Sequence, residues 1–77
     1  MLVDIYRGGV NPRQFVAVPT GRPLPTAHLP NTADLAELHL YLQGTDIASS
    51  GEFSGVDVQA VLKQVVDDGF ALFQTSP

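Results

Sequence analysis

Asp57-Val58-Gln59-Ala60-Val61-Leu62-Lys63-Gln64-Val65-Val66-Asp67-Asp68-Gly69, running straight into Phe70-Ala71-Leu72-Phe73-Gln74, decides the fold class. Val58, Val61, Leu62 and Val65 recur at i, i+3, i+4 and i+7, which places them on one stripe of a helix. Gln59, Lys63, Gln64 and Asp67 fall on the opposite, polar side. Ser54 or Asp57 can cap the start, and Gly69 supplies the left-handed exit. Three valines lower intrinsic helicity, so the helix needs a sheet to pack against. Burying the four-residue stripe contributes on the order of 6–12 kcal/mol before entropy is subtracted. Phe70 to Gln74 then reads as a strand that comes directly after the helix.

Upstream, Gly44 to Gly55 reads as a polar loop with one aromatic anchor, Phe53. Residues 32–43 admit two readings. As a helix, Asn31 caps it, Gly44 ends it, and Leu35, Leu38 and Leu42 share a face while Leu40 is stranded. As a strand, Glu37-Leu38-His39-Leu40-Tyr41-Leu42-Gln43 alternates without a fault and puts Leu38, Leu40 and Leu42 together. The favoured expectation is a short helical turn near Thr32–Ala36 and then that strand. From Pro19 to Pro30, the breakers Pro19, Gly21, Pro23, Pro25 and Pro30 predict an extended connector, laid over the sheet by Leu24 and Leu29. At the N-terminus, Leu2–Tyr6 and Gln14–Val18 read as strands joined through Arg7-Gly8-Gly9-Val10-Asn11-Pro12-Arg13, a hairpin with a long loop.

The order strand, strand, turn, strand, helix, strand predicts an α+β fold over residues 1–77 as one small domain. It has a single three- to four-stranded sheet, an N-terminal β-hairpin, and one main helix with a second short helix on one face. Strand order does not emerge from the pattern. Val3-Asp4-Ile5-Tyr6-Arg7 opening a hairpin resembles the start of small uncharacterised proteobacterial proteins of the YcgL-like kind. Val56-Asp57-Val58 leading a helix, Gly69-Phe70-Ala71-Leu72-Phe73-Gln74 and Pro77 resemble their end. Phe15-Val16-Ala17-Val18 departs from them in lacking tyrosine, and Pro19 to Gly55 matches little. The resemblance implies a bacterial protein with a compact α+β fold, and it implies no catalytic residue.

The chain has 77 residues, 44% of them hydrophobic and 16% charged, with a net charge of −4 and no cysteine. It is too apolar to be disordered throughout, and it has no thiolate with which to build disulfides or zinc sites. Residues 1–22 hold Arg7, Arg13 and Arg22 against Asp4. Residues 23–77 hold Lys63 against Asp34, Glu37, Asp46, Glu52, Asp57, Asp67 and Asp68. That balance lacks the basic footprint of nucleic-acid binding. No apolar run is long enough to span a bilayer, and Met1–Arg7 lacks the order of a signal peptide. The expectation is a cytoplasmic protein.

Catalytic motifs are missing from the sequence. Ser49-Ser50-Gly51 lacks the strand-to-helix context of a nucleophile elbow. Gly8-Gly9 opens no helix and is no phosphate loop. Asp67-Asp68 is explained by turn propensity before Gly69. Neither a cofactor nor a metal site is expected, because no histidine pair has ligand spacing. On a strand, Glu37, His39 and Tyr41 share a face at i, i+2 and i+4. With Asp4 and Tyr6 of the first strand they form the candidate binding residues. Asp4 is expected at a solvent-facing strand position, or paired with Arg7 or Arg22 on a recognition face. The leading expectation is a non-catalytic binding or protein-interaction module, self-association included, acting through a sheet edge or the polar sheet face. The alternative is a small enzyme or metal-binding protein that uses Glu37, His39, Tyr41 and Asp46.

Overall fold

The computed structural model describes residues 1–30, 32–50, 53 and 55–75. Four strands form one antiparallel sheet: β1 (Val3–Arg7), β2 (Gln14–Pro19), β3 (His39–Thr45) and β4 (Ala71–Gln74). Their spatial order is β3-β1-β2-β4, so the hairpin forms the centre and the later strands form the edges. Among the described residues two α-helices accompany the sheet, α1 (Ile47–Ser50) and α2 (Val58–Asp68). The chain is an α+β fold.

α2 forms as its sequence predicts. Asp57 is the cap, its carboxylate accepting from the Ala60 N–H at 3.2 Å. Gly69 leaves the helix at φ 85°, its N–H donating to the Val65 carbonyl at 2.9 Å. Val61 and Val65 are buried against the sheet, and Val58 and Leu62 are half-buried beside them. Under α2 lie Val3, Ile5, Phe15, Ala17, Ala71 and Phe73. They come from alternate positions of β1, β2 and β4, as a period of two requires.

The stretch after β3 corrects the expectation of a polar loop. β3 runs on to Thr45, and Asp46 then starts α1 by accepting from the Ala48 N–H at 3.2 Å. Ile47 joins Phe53 in the core, so this segment contributes two buried anchors where its composition suggested one.

β3 corrects the expectation that its leucines lie together inside. The register against β1 shifts twice, between the pairs Val3/Thr45 and Ile5/Leu42, and again before Tyr6/Leu40. Each bulge adds a residue to one strand and turns the residues beyond it to the other face. Leu42 therefore sits half-buried at the edge of the α2-side core, while Leu40 is 47% exposed on the far side.

The connector between β2 and β3 contains two 3-10 turns, Thr26–His28 and Ala33–Leu35. The second matches the expected turn near Thr32–Ala36; the first is regular structure that the prolines were expected to forbid. The connector crosses the sheet face opposite α2. Val16 and Val18 point to that face and are nevertheless fully buried. Pro30, Thr32 and Leu35 share a cleft there with Gln14 and Leu72. The connector is thus laid over the sheet as expected, and it covers the face on which a polar recognition surface was expected. The hairpin loop seats the connector by direct backbone approach: the Gly9 N–H donates to the Glu37 carbonyl at 3.1 Å. A Cβ on Gly8 would stand 2.8 Å from the Asp34 carbonyl oxygen, and one on Gly9 would stand 2.8 Å from that of Glu37.

Candidate functional site

Asp4 is neither solvent-facing nor paired with arginine. It is 6% exposed, and its carboxylate accepts from the Thr20 hydroxyl at 3.0 Å, the Gly44 N–H at 2.9 Å and the Gly21 N–H at 3.5 Å. A buried carboxylate is tolerated only with such partners. Here it ties the exit of β2 and the bulged part of β3 to the middle of β1. Its role is to hold the fold.

The other four candidates are dispersed. Tyr6 is half-buried on the far face, opposite Leu40. His39 is exposed at the start of β3, opposite Arg7. Tyr41 is 38% exposed and leans toward α2, its ring 5.6 Å from that of Phe15. The Arg7 guanidinium lies 5.3 Å from the Tyr41 ring centroid, while its Nε–H donates to the Pro12 carbonyl. Glu37 precedes the strand, exposed, at φ 57°. The bulges thus separate Asp4 and Tyr6 from His39 and Tyr41, and no single face gathers all five.

The four residues of the alternative reading are also kept apart. Glu37 and Asp46 flank opposite ends of a seven-residue strand, which itself spans roughly 20 Å at about 3.3 Å per residue. The Asp46 carboxylate is occupied at the start of α1, where it also accepts from the Ser49 hydroxyl at 3.4 Å. Among the described residues, no three His, Cys, Asp or Glu side chains are grouped as a metal site would require.

No family model, curated protein or solved structure matches this chain. The site therefore rests on its own geometry.

That geometry sets two adjoining surfaces apart. The first is the outer edge of β3, with Leu40 and Tyr41 exposed along it. The second is a cleft of about 460 Å³ beside the connector, walled by Leu24, Leu29, Leu35 and Leu38, with Glu37 on its rim. All four leucines are half-buried. The left-handed backbone at Glu37 costs roughly 1–2 kcal/mol for a residue with a side chain. The turn needs that backbone to aim the Glu37 carbonyl at Gly9, and it makes no use of the carboxylate, which has no partner among the described residues. Sequence reasoning named Leu24 and Leu29 only as cover for the sheet. The signal for a cleft was the number of leucines in a segment too rich in prolines to bury them in a regular element.

Among the described residues, no helix is long and apolar enough to cross a membrane.

Proposed function

We propose that the chain is a non-catalytic protein-interaction module and that β3 is the element it presents. The observation that carries this reading is an open sheet edge with Leu40 exposed toward the far face and Tyr41 toward the α2 face. No Lys, Arg, Asp or Glu stands in His39–Thr45, although charge is the usual protection of an exposed edge. The two bulges interrupt the ladder that an added strand would need, so side chains contribute more of the contact than backbone pairing. An aromatic ring and an aliphatic side chain on the two flanks of the edge give such an interface apolar contacts. Seven residues of edge fall short of the ~800 Å² that each partner gives to a standard interface, so the contact is modest. Pairing of two copies through β3 is a second form of the reading. A net charge of −4 on each copy opposes it, and added salt would relieve the repulsion. The reading takes the chain to work in the cytoplasm, and the absence of cysteine agrees with that. The likeness of the chain ends to YcgL-like proteins carries no site residue into this reading.

Leu40→Lys tests it. The position is exposed, so the unfolding free energy should stay within about 0.5 kcal/mol of wild type. Proteins captured from a native lysate, and any dimer seen by sedimentation, should be lost. A variant that folds and retains every captured partner and its oligomeric state would remove β3 as the binding element.

A further inference from the structure

We propose that the leucine-walled cleft with Glu37 on its rim receives an extended segment of a partner protein that carries an aliphatic side chain beside a lysine or arginine. This rests on the interaction-module reading and names the partner's chemistry. Three observations carry it.

The cleft is apolar and within the volume range of ligand sites, and it opens to solvent instead of closing into a cavity. That shape fits one or two side chains of a segment passing over the surface. Leu38, part of the wall, leads directly into β3, so a segment seated in the cleft can continue along the exposed edge.

The charge at the rim is of one sign. Glu37 is the one ionisable residue among those lining the cleft, and no cation stands against its carboxylate among the described residues. The segment beyond Arg22 holds one cationic side chain, Lys63, and it is bound to Asp67 at 3.1 Å. Among the described residues Arg7, Arg13 and Arg22 are not paired with Glu37 either, so its carboxylate is open to a cation from a partner. A second copy is a poor source, because it brings another net −4.

The backbone at 37 would be better served by glycine, which adopts φ 57° without strain. Glutamate at a left-handed position with an unused carboxylate is the pattern in which strain marks a site of function. The bond to Gly9 uses the Glu37 carbonyl and not its side chain.

The experiment selects random peptides displayed on phage against the full-length chain, then titrates the strongest synthetic peptide by fluorescence anisotropy. Enrichment of an aliphatic residue next to lysine or arginine is expected. Glu37→Gln should weaken binding by about tenfold or more, as loss of a charge-assisted contact does, and rising salt should weaken wild-type binding toward the same level. Glu37→Gly should weaken binding equally while raising the thermal midpoint, a combination that a merely structural residue cannot give. Selected peptides without basic residues, no enrichment, or unchanged affinity in Glu37→Gln would each overturn the proposal. If peptides bind but respond to Leu40→Lys and not to Glu37→Gln, the cleft is excluded and β3 stands as the binding element.

Discussion

The two faces of the sheet are covered by different means. On the α2 side, Phe15 stacks on Phe73 at 5.5 Å and meets Phe53 edge-on at 5.2 Å, and Phe53 meets Phe73 edge-on at 5.4 Å. Rings at these separations add to the stabilisation that burial alone provides. On the connector side, Val16 and Val18 lie under irregular backbone, alongside the buried polar residues Asp4 and Gln14. The Gln14 amide donates to the Phe15 and Phe73 carbonyls and accepts from Gln74 at 2.8 Å. Among the described residues, no buried side-chain nitrogen or oxygen lacks a hydrogen-bond partner. One face is held by interlocking rings, and the other by a few directed bonds beneath irregular backbone. The cleft is built from the connector that covers this second face.

The comparison breaks first at Phe15. Phe15→Ala should cost about 3–5 kcal/mol by denaturant unfolding, and Val16→Ala, its neighbour on the other face, about 1.5–3 kcal/mol. Equal costs would mean that the connector packs as tightly as the helix. Asp4→Ala should cost about 1–3 kcal/mol, because the Thr20 hydroxyl and the Gly44 N–H lose their buried acceptor. Amide exchange at Gly44 should quicken by more than at β2; uniform exchange would show that Asp4 does not hold β3. The smallest effect is expected at the β4 edge, where the Gln64 side chain accepts from the Leu72 N–H at 3.3 Å. Gln64→Ala should cost about 0.5–1.5 kcal/mol and speed exchange at Leu72. No change there would mean that shortness alone protects this edge.

What the sequence revealed depended on how local the cause was. α2 and its caps arise from contiguous residues, and so does the hairpin, in which the alternating Val3-Asp4-Ile5-Tyr6 and the short apolar run Phe15-Val16-Ala17-Val18 flank a loop with Gly8, Gly9 and Pro12. The faces of β3 were not legible, because an unbroken alternation in Glu37–Gln43 gives no sign of the two bulges set by pairing with β1. Asp4 read as a solvent-facing residue because its strongest backbone partner, Gly44, lies forty residues away. Of the candidate binding residues, Glu37 and Tyr41 border the cleft and the open edge, whereas Asp4 is committed to the fold. The four leucines of the cleft come from a segment with no period, and periodicity is the principal guide to burial.

The connector is fastened at both ends. Asp4 holds Thr20 and Gly21 where it begins, and the backbone of Gly9 grips Glu37 where it finishes. Between those points, among the described residues, it adds no strand to the sheet and no residue to the ring cluster. Lengthening such a loop costs only about 0.6 kcal/mol per doubling, so the chain can accept insertions and sequence drift there while the sheet stays intact. Gly8 and Gly9 have no such latitude, since any side chain would push the anchor away. Variation among descendants of this sequence would then collect between the two fastenings, letting the cleft change what it recognises without a new fold.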